Sequence, residues 1–428
     1  MTTFRILRAL REFNRAQWLP SHELRRRSEV RLASLLRHAT ENVPFYRGRD
    51  PQSMPVMNKS AYRSHAPEAF TASNLSAARR LEKATSGSTG VPFRFAVDRA
   101  ALPIAFASHL SYDSWIGLRP FDRCLRVAVP PPSASPPSGL PWLQDTHERW
   151  TQRRISVWDL DAQHVEDLWE RIEAFQPAFL FGYTGALAAL ADLLQRRGLR
   201  LSRQLRGVIT TSEALSPPRR RILEEYFRAP ITNRYGLREF GFFSAQSCAA
   251  SPERFHVNTE LVVCEILRPD GSPAQDGETG RIVLTDLWNY ARPFIRYDTG
   301  DMAARLAGVC SCGRSLPLLG PIEGRSEEWL TTASGKMISP GLLGHYLFVD
   351  RRHGDAVRHY QLVQEHPRHL TLLVVPGDDW SQLSVAPLRD DLSHLLGPGT
   401  EVSVQTVSEI APERSGKRPI VKTSRMVH

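Results

Sequence analysis

The sequence predicts an α/β fold: a large N-terminal part built on a largely parallel sheet covered by helices, with a small barrel-like β part, followed by a smaller α+β C-terminal part. Three observations predict it. Between residues 125 and 227, short apolar runs at 125–129, 179–183 and 205–211 alternate with helical patterns at 165–175, 186–196 and 217–227. Such alternation builds parallel strands with helices on both faces. Beyond Ile231 the texture changes, with strand-like runs at 262–267, 280–286 and 294–297 joined by Pro269-Asp270-Gly271 and Asp276-Gly277. That pattern reads as an antiparallel sheet or small barrel. Finally, 428 residues exceed what one simple core accommodates and suit two or three domains.

Taken in order, residues 1–50 are expected to be helical, with Leu7, Leu10 and Phe13, then Leu32, Leu35 and Leu36, at helical spacing. Pro44-Phe45-Tyr46-Arg47 ends this segment, and Asn58 offers an N-cap to a further helix. The glycine-rich stretch 84–92 leads into an alternating strand at 93–97, and 100–116 is largely apolar at helical spacing. The Pro- and Ser-rich segment 130–141 is expected to be a loop. A boundary is expected near Gly324-Arg325, dividing 1–324 from a small domain at 325–428 with strands at 360–363, 370–374 and 401–407 and a helix at 387–396.

Composition excludes several classes. Hydrophobic residues make up 41% and charged residues 23%, an ordinary globular balance. No apolar run of membrane-spanning length occurs, and Met1-Thr2-Thr3-Phe4-Arg5 has no apolar block fit for a signal peptide, so a cytoplasmic location is expected. The net charge of +10 is spread out, with short clusters at Arg25-Arg26-Arg27 and Arg219-Arg220-Arg221. This reads as solvated surface plus an anionic small-molecule ligand, with no nucleic-acid partner. Five cysteines, an odd number, argue against a disulfide framework and leave metal binding or buried thiols.

The stretch Ala84-Thr85-Ser86-Gly87-Ser88-Thr89-Gly90-Val91-Pro92, just after Lys83, is the first candidate for chemistry. Glycines let the backbone approach a ligand closely, and hydroxyls with freed N–H groups can cradle a polyphosphate. It lacks the Gly-Lys-Ser/Thr of the common phosphate loop. Further down lie Thr210-Thr211-Ser212-Glu213 at a strand end, where ligands of parallel sheets bind. Arg234-Tyr235-Gly236-Leu237-Arg238-Glu239 places a Tyr at a turn, and Tyr297-Asp298-Thr299-Gly300-Asp301 sets two carboxylates around another. Gly324-Arg325-Ser326-Glu327 and Ser415-Gly416-Lys417 complete the set. Cys248, His256, Cys310 and Cys312 make a complete tetrahedral Zn²⁺ set, with two buried thiols and a turn histidine as the other reading.

In this order the motifs resemble the adenylate-forming superfamily of acyl-CoA synthetases, within it the phenylacetate–CoA ligase-like branch that includes capsule-biosynthesis homologues. The resemblance covers nearly the whole chain, including Asn42-Val43-Pro44-Phe45-Tyr46. It implies ATP-dependent activation of a carboxylic acid to an acyl-adenylate with release of pyrophosphate. Ser86, Ser88, Thr89 and Gly90 would hold the β- and γ-phosphates. Tyr235, with Gly236, would lie on adenine with Ser212 and Glu213 nearby, and Asp301 with Arg325 would hold the ribose. Glu239 would hold Mg²⁺, Lys417 would serve the α-phosphate and the attacking carboxylate, and Glu327 would lie at the hinge. Phe181, Gly182 and Tyr183 would wall an acyl pocket, leaning towards an aryl or arylacetic acid. Some members of this branch carry a structural zinc at a matching Cys…His…Cys-x-Cys pattern. The segment 331–340 departs from the Arg-Gly-Val-Asn-Val-Phe-Pro run of phenylacetate–CoA ligases and looks closer to the capsule-type homologues. The acceptor in the second half-reaction is therefore open among CoA, an amine and a carrier protein. A non-catalytic binding homologue is a further reading, and the oligomeric state is open, with a homodimer among the options.

Overall fold

The computed structural model describes residues 2–85, 93–128, 151–160, 163–323, 330–333, 337–338, 343, 346–347, 356–381, 384–412 and 418–423. These pack as two compact units. One takes in 1–121, 133–150 and 232–321, the other 122–132, 151–231 and 322–428.

The first unit begins with helices α1 (Thr2–Ala16) and α2 (Ser21–Asn42). On α1 the buried face carries Ala9, Phe13 and Ala16, while Leu7, expected on the apolar face, is 52% exposed. Asn58 caps the short α3 (Lys59–Arg63), its Oδ1 accepting from the Ala61 N–H at 2.8 Å. Strands β1 (Arg80–Thr85) and β2 (Phe93–Asp98) form an antiparallel hairpin. Helix α4 (Leu102–Trp115) follows, with much of its length buried.

The remaining strands of this unit are β7 (Ile231–Leu237), β8 (Phe242–Cys248), β9 (Ser251–Val257), β10 (Val262–Leu267), β11 (Thr279–Asp286), β12 (Tyr297–Leu306) and β13 (Leu318–Leu319). They lie side by side in the order β10-β11-β12-β13-β9-β8-β7. The antiparallel texture expected beyond Ile231 is present. Phe294 to Tyr297, however, only leads into β12, whose ten residues include the Thr299-Gly300-Asp301 turn itself. The strand absorbs that turn as a bulge. Arg281 pairs with Met302 but Val283 pairs with Asp298, so three residues of β12 face one of β11. Gly300 has φ +76°, a left-handed setting that glycine adopts without strain. Tyr46, Tyr62, Phe70, Phe93, Phe95, Phe240, Phe294 and Tyr297 are all buried and form a network of ring contacts under the sheet. Aromatic pairs at such separations add to plain burial.

In the second unit, β3 (Cys124–Ala128), β4 (Gln152–Ser156), β5 (Phe179–Tyr183) and β6 (Gly207–Thr211) run parallel in the order β4-β3-β5-β6. Helices α5 (Val165–Phe175), α6 (Thr184–Arg196) and α7 (Pro217–Phe227) cover them. Leu125, Val127, Leu168, Leu180, Leu187, Leu190, Val208 and Leu223 form the shared core. The C-terminal part has a separate sheet of β16 (Val357–His366), β17 (His369–Pro376), β18 (Glu401–Thr406) and β19 (Val421–Thr423), ordered β18-β17-β16-β19, with helix α8 (Val385–Leu396). Two short strands, β14 (Leu330–Thr331) and β15 (Met337–Ile338), pair antiparallel. Leu362, Leu372, Val374, Leu388, Leu392 and Val421 make its own core.

Candidate active site

In the second unit the expected residues lie at the carboxyl ends of β5 and β6. Gly182 pairs with Val127 on one side and Thr210 on the other. A Cβ at Gly182 would collide with the carbonyl of Val127, so the closeness of β3 and β5 here requires glycine. Phe181 lies under the Arg126 guanidinium at 4.7 Å. Ser212 follows β6 with φ +69°, uncommon for a residue with a side chain. The chain turns there and presents Glu213 to the start of α6.

Glu213 is the hub of this half. One oxygen accepts from the Gly185 N–H at 2.6 Å, at the positive end of the α6 dipole. The same oxygen pairs with Arg219 at 3.3 Å. The other accepts from the Arg418 N–H at 2.7 Å. Thr184 ties down the backbone, its hydroxyl donating to the Glu213 carbonyl at 3.0 Å. Arg219 was read from the sequence as part of a solvated cluster. It is instead buried, 8% exposed, because its guanidinium bonds Glu213 and the Arg418 carbonyl. No local pattern marks it, since Arg418 lies 199 residues away.

In the first unit Tyr235 does not sit at a turn. It is the fifth residue of β7, and the turn comes after it, at 238–241. Its hydroxyl donates to Asp301 Oδ2 at 2.7 Å, joining residues 66 apart. Burial, then the Asp301 charge, push the Tyr235 hydroxyl well above its ordinary value, so it stays a donor. Asp301 is held at the β12 bulge, its N–H donating to Thr299 Oγ1 at 3.0 Å. Gly236 is close-packed: a Cβ would lie 2.7 Å from the Phe242 carbonyl oxygen and 2.8 Å from Phe243 Cα. Glu239 is buried, and among the described residues its carboxylate accepts a long bond, 3.4 Å, from the Tyr297 hydroxyl. Lys83 lies partly buried at the end of the hairpin. Burial, then the charge of Arg238, hold its ammonium below the ordinary value.

Cys248, His256, Cys310 and Cys312 come together, their ligand atoms all within 4.8 Å of one another. Cys248 Sγ and Cys310 Sγ are 3.6 Å apart, as are Cys312 Sγ and His256 Nε2. Burial pushes the Cys248 thiol up to about 12. Burial also raises Cys310, but hydrogen bonds from Cys312 and its neighbours outweigh it and bring the thiol down to about 7. Burial, then the charge of Arg314, depress His256 to about 4, so the ring is neutral with a lone pair for a cation.

Ser86, Ser88, Thr89, Gly90, Arg325, Glu327 and Lys417, with the 130–141 loop, lie outside the described residues.

Comparison with known proteins adds three findings. The CapK C-terminal domain family matches residues 330–424. Phenylacetate-coenzyme A ligase of Thermus thermophilus is 26% identical over 389 residues, 78% of this chain and 80% of the relative. That of Escherichia coli is 25% identical over 92% of this chain and 93% of the relative. Protein CapK of Staphylococcus aureus is 21% identical over 62% of this chain and 57% of the relative. Among solved structures, 2-hydroxyisobutyryl-CoA ligase in the postadenylation state matches with a TM-score of 0.75 at 19% identity, over 96% of this chain and 92% of the other. The anthranilate CoA ligase AuaEII in complex with anthranoyl-AMP matches at 0.54 over 79% and 65%.

Proposed function

We propose that this chain, placed by its relatives in the phenylacetate–CoA ligase-like and CapK branch of the adenylate-forming enzymes, is an AMP-forming acid–CoA ligase. In the first step a carboxylate oxygen attacks the α-phosphorus of ATP, pyrophosphate leaves, and an acyl-adenylate forms. In the second the thiolate of CoA attacks the acyl carbon and AMP leaves with the electron pair of the broken bond. Both steps depend chiefly on alignment and charge stabilisation.

The observation that carries this reading is the Tyr235–Asp301 hydrogen bond. It brings together the two residues that the family resemblance gives to adenine and ribose, from strands far apart in sequence. Asp301 holds the ribose hydroxyls, Tyr235 stacks on the base, and Ser212 and Glu213 line the approach. Ser86, Ser88, Thr89 and Gly90 take the outer phosphates, with Lys83 and Arg238 close by. Lys417 places positive charge between the carboxylate and the α-phosphate, and Arg325 supports the ribose. Phe181, Gly182 and Tyr183 wall the acid pocket, so an aryl or arylacetic acid is the preferred substrate. Residues 325–428 act as the small domain, with Glu327 at its hinge.

Glu239, a buried carboxylate with only a long hydrogen bond of its own among the described residues, suits Mg²⁺, which when bound neutralises phosphate charge. The three thiols and neutral imidazole suit Zn²⁺. With all four ligand positions supplied by the protein, that zinc is structural. The deciding experiment is ATP–pyrophosphate exchange across aryl, arylacetic, alkyl and amino acids, followed by addition of CoA, amines or carrier protein. Exchange with at least one acid, and thioester formation with CoA, are expected. No exchange with any acid returns the chain to a binding role, and exchange without thioester moves the acceptor to an amine or carrier.

A further inference from the structure

The backbone of Arg418 is held on both sides of its Cα. The Arg418 N–H donates to Glu213 Oε1 at 2.7 Å, and the Arg418 carbonyl accepts from Arg219 Nη2. Arg219 also reaches the other Glu213 oxygen at 3.3 Å, so the two side chains brace each other. That second oxygen is fixed in turn by the Gly185 N–H at 2.6 Å. The grip needs glycine at 185. A Cβ there would lie 2.5 Å from Glu213 Oε2 and 3.2 Å from Arg219 Nη2. Charge-assisted bonds to the N–H and the carbonyl of one residue hold the two peptide units that meet at its Cα, and so restrict the backbone torsions there. Close by, a second buried carboxylate holds the same C-terminal part. Asp192 on α6 meets Arg358 at 2.8 Å and His359 at 3.6 Å, both on β16.

We propose that Arg219 is a positioning residue for adenylation. With Glu213 it clamps the backbone of Arg418, the residue that follows Lys417 in sequence. The proposal rests on the adenylation reading for the role of Lys417, but the clamp has its own readout. It predicts a split between the two half-reactions. Activation of the acid needs Lys417 held in place, while transfer of an acyl group already joined to AMP does not.

The test reads one set of variants in two ways. Hydrogen–deuterium exchange at the Arg418 amide is expected to be slow in the parent and about tenfold or more faster in Arg219→Ala, because a local opening has become easier. ATP–pyrophosphate exchange with phenylacetate and the rest of the acid panel is expected to fall in kcat by about tenfold to a hundredfold, the effect of misplacing a reacting group by a fraction of its reach, with KM for ATP nearly unchanged. Transfer from supplied phenylacetyl-adenylate to CoA should stay near the parent rate. Arg219→Lys should recover part of the loss, since an ammonium keeps the charge but not the fork. Gly185→Ala should reproduce the pattern by displacing Glu213 while leaving Arg219 in place. Unchanged exchange at Arg418 in Arg219→Ala would overturn the clamp. Equal loss of both half-reactions, tracking a lower thermal midpoint, would reduce Arg219 to a structural residue. A parent inert with every acid removes the adenylation reading and the positioning role with it, and exchange at Arg418 then still reports whether the clamp exists.

Discussion

Two knots tie distant stretches of this chain, and they are built from opposite chemistry. In one unit Cys248, His256, Cys310 and Cys312 bring the β8–β9 hairpin to the turn before β13 through soft donors that suit a cation. In the other, Glu213 and Arg219 join the β6–α7 turn to Arg418 through charge and hydrogen bonds. Closing the first with an ion gives a bond network that releases only when its ligands are protonated or the metal is stripped. The second exchanges protein partners for water at modest net cost, because each polar group can be resolvated once exposed. The comparison teaches a division of labour: a fixed corner in one place and a releasable catch in another, beside the residue assigned to the first chemical step.

The largest effect should come from breaking the fixed corner. Purified protein is expected to hold about one zinc per chain, and replacing Cys310 and Cys312 together by Ser should abolish it and lower the thermal midpoint by on the order of 10 °C, as loss of a structural metal does. Elemental analysis showing no zinc in the freshly purified parent would leave the corner as packed thiols. Next comes the chemistry beside the catch. Lys417→Ala should slow adenylation on the order of 10²–10³-fold, like removal of one transition-state donor, while isothermal titration shows ATP still binding. A mutant as fast as the parent takes Lys417 out of the mechanism. Smaller again, Asp301→Asn should raise KM for ATP about tenfold by weakening a charged acceptor, and Tyr235→Phe should do so by less.

The smallest effect is one of pH at the Asp192–His359 contact. Burial, against the pull of Asp192, keeps the His359 pKa below its ordinary 6.5. The unfolded chain therefore takes up that proton more readily, and stability is expected to decline as pH falls below about 6.5. Asp192 is raised by burial but lowered further by His359 and its arginine neighbours, ending below 3.8, so a second decline follows in stronger acid. Urea melts between pH 4 and 8 should show the upper step in the parent and a smaller one in His359→Gln, since His256, also depressed by burial, keeps its share.

Much of this was legible in the residues. Helices Val165–Phe175 and Pro217–Phe227 and strands Phe179–Tyr183 and Val262–Leu267 stand where periodicity puts them, because apolar spacing reports directly which face is covered. That Cys248, His256, Cys310 and Cys312 come together was readable because such residues are rare and their spacing is local in pairs. Leu7 stands on α1 as its spacing predicts, though spacing alone cannot say whether a neighbour covers it, and it is exposed. Tyr235 and Thr299-Gly300-Asp301 were taken for turns because Gly and Asp signal turns and bulges alike, and only the pairing of β11 with β12 distinguishes them. Arg219 was hidden by its company: a run of three arginines looks solvated, and the partner that buries its first member is far along the chain.

The grip on residue 418 falls on peptide atoms, and this has a consequence for how the protein can vary. Recognition of an amide and a carbonyl leaves no fingerprint in the side chain that is held. Proline, which lacks the N–H, is barred at 418, while the side chain there is held separately, Arg418 Nε donating to the Ile410 carbonyl at 3.1 Å. The demand on residue type falls instead on Arg219 and Gly185, two sites far from 418 in sequence that a search for reactive groups would pass over.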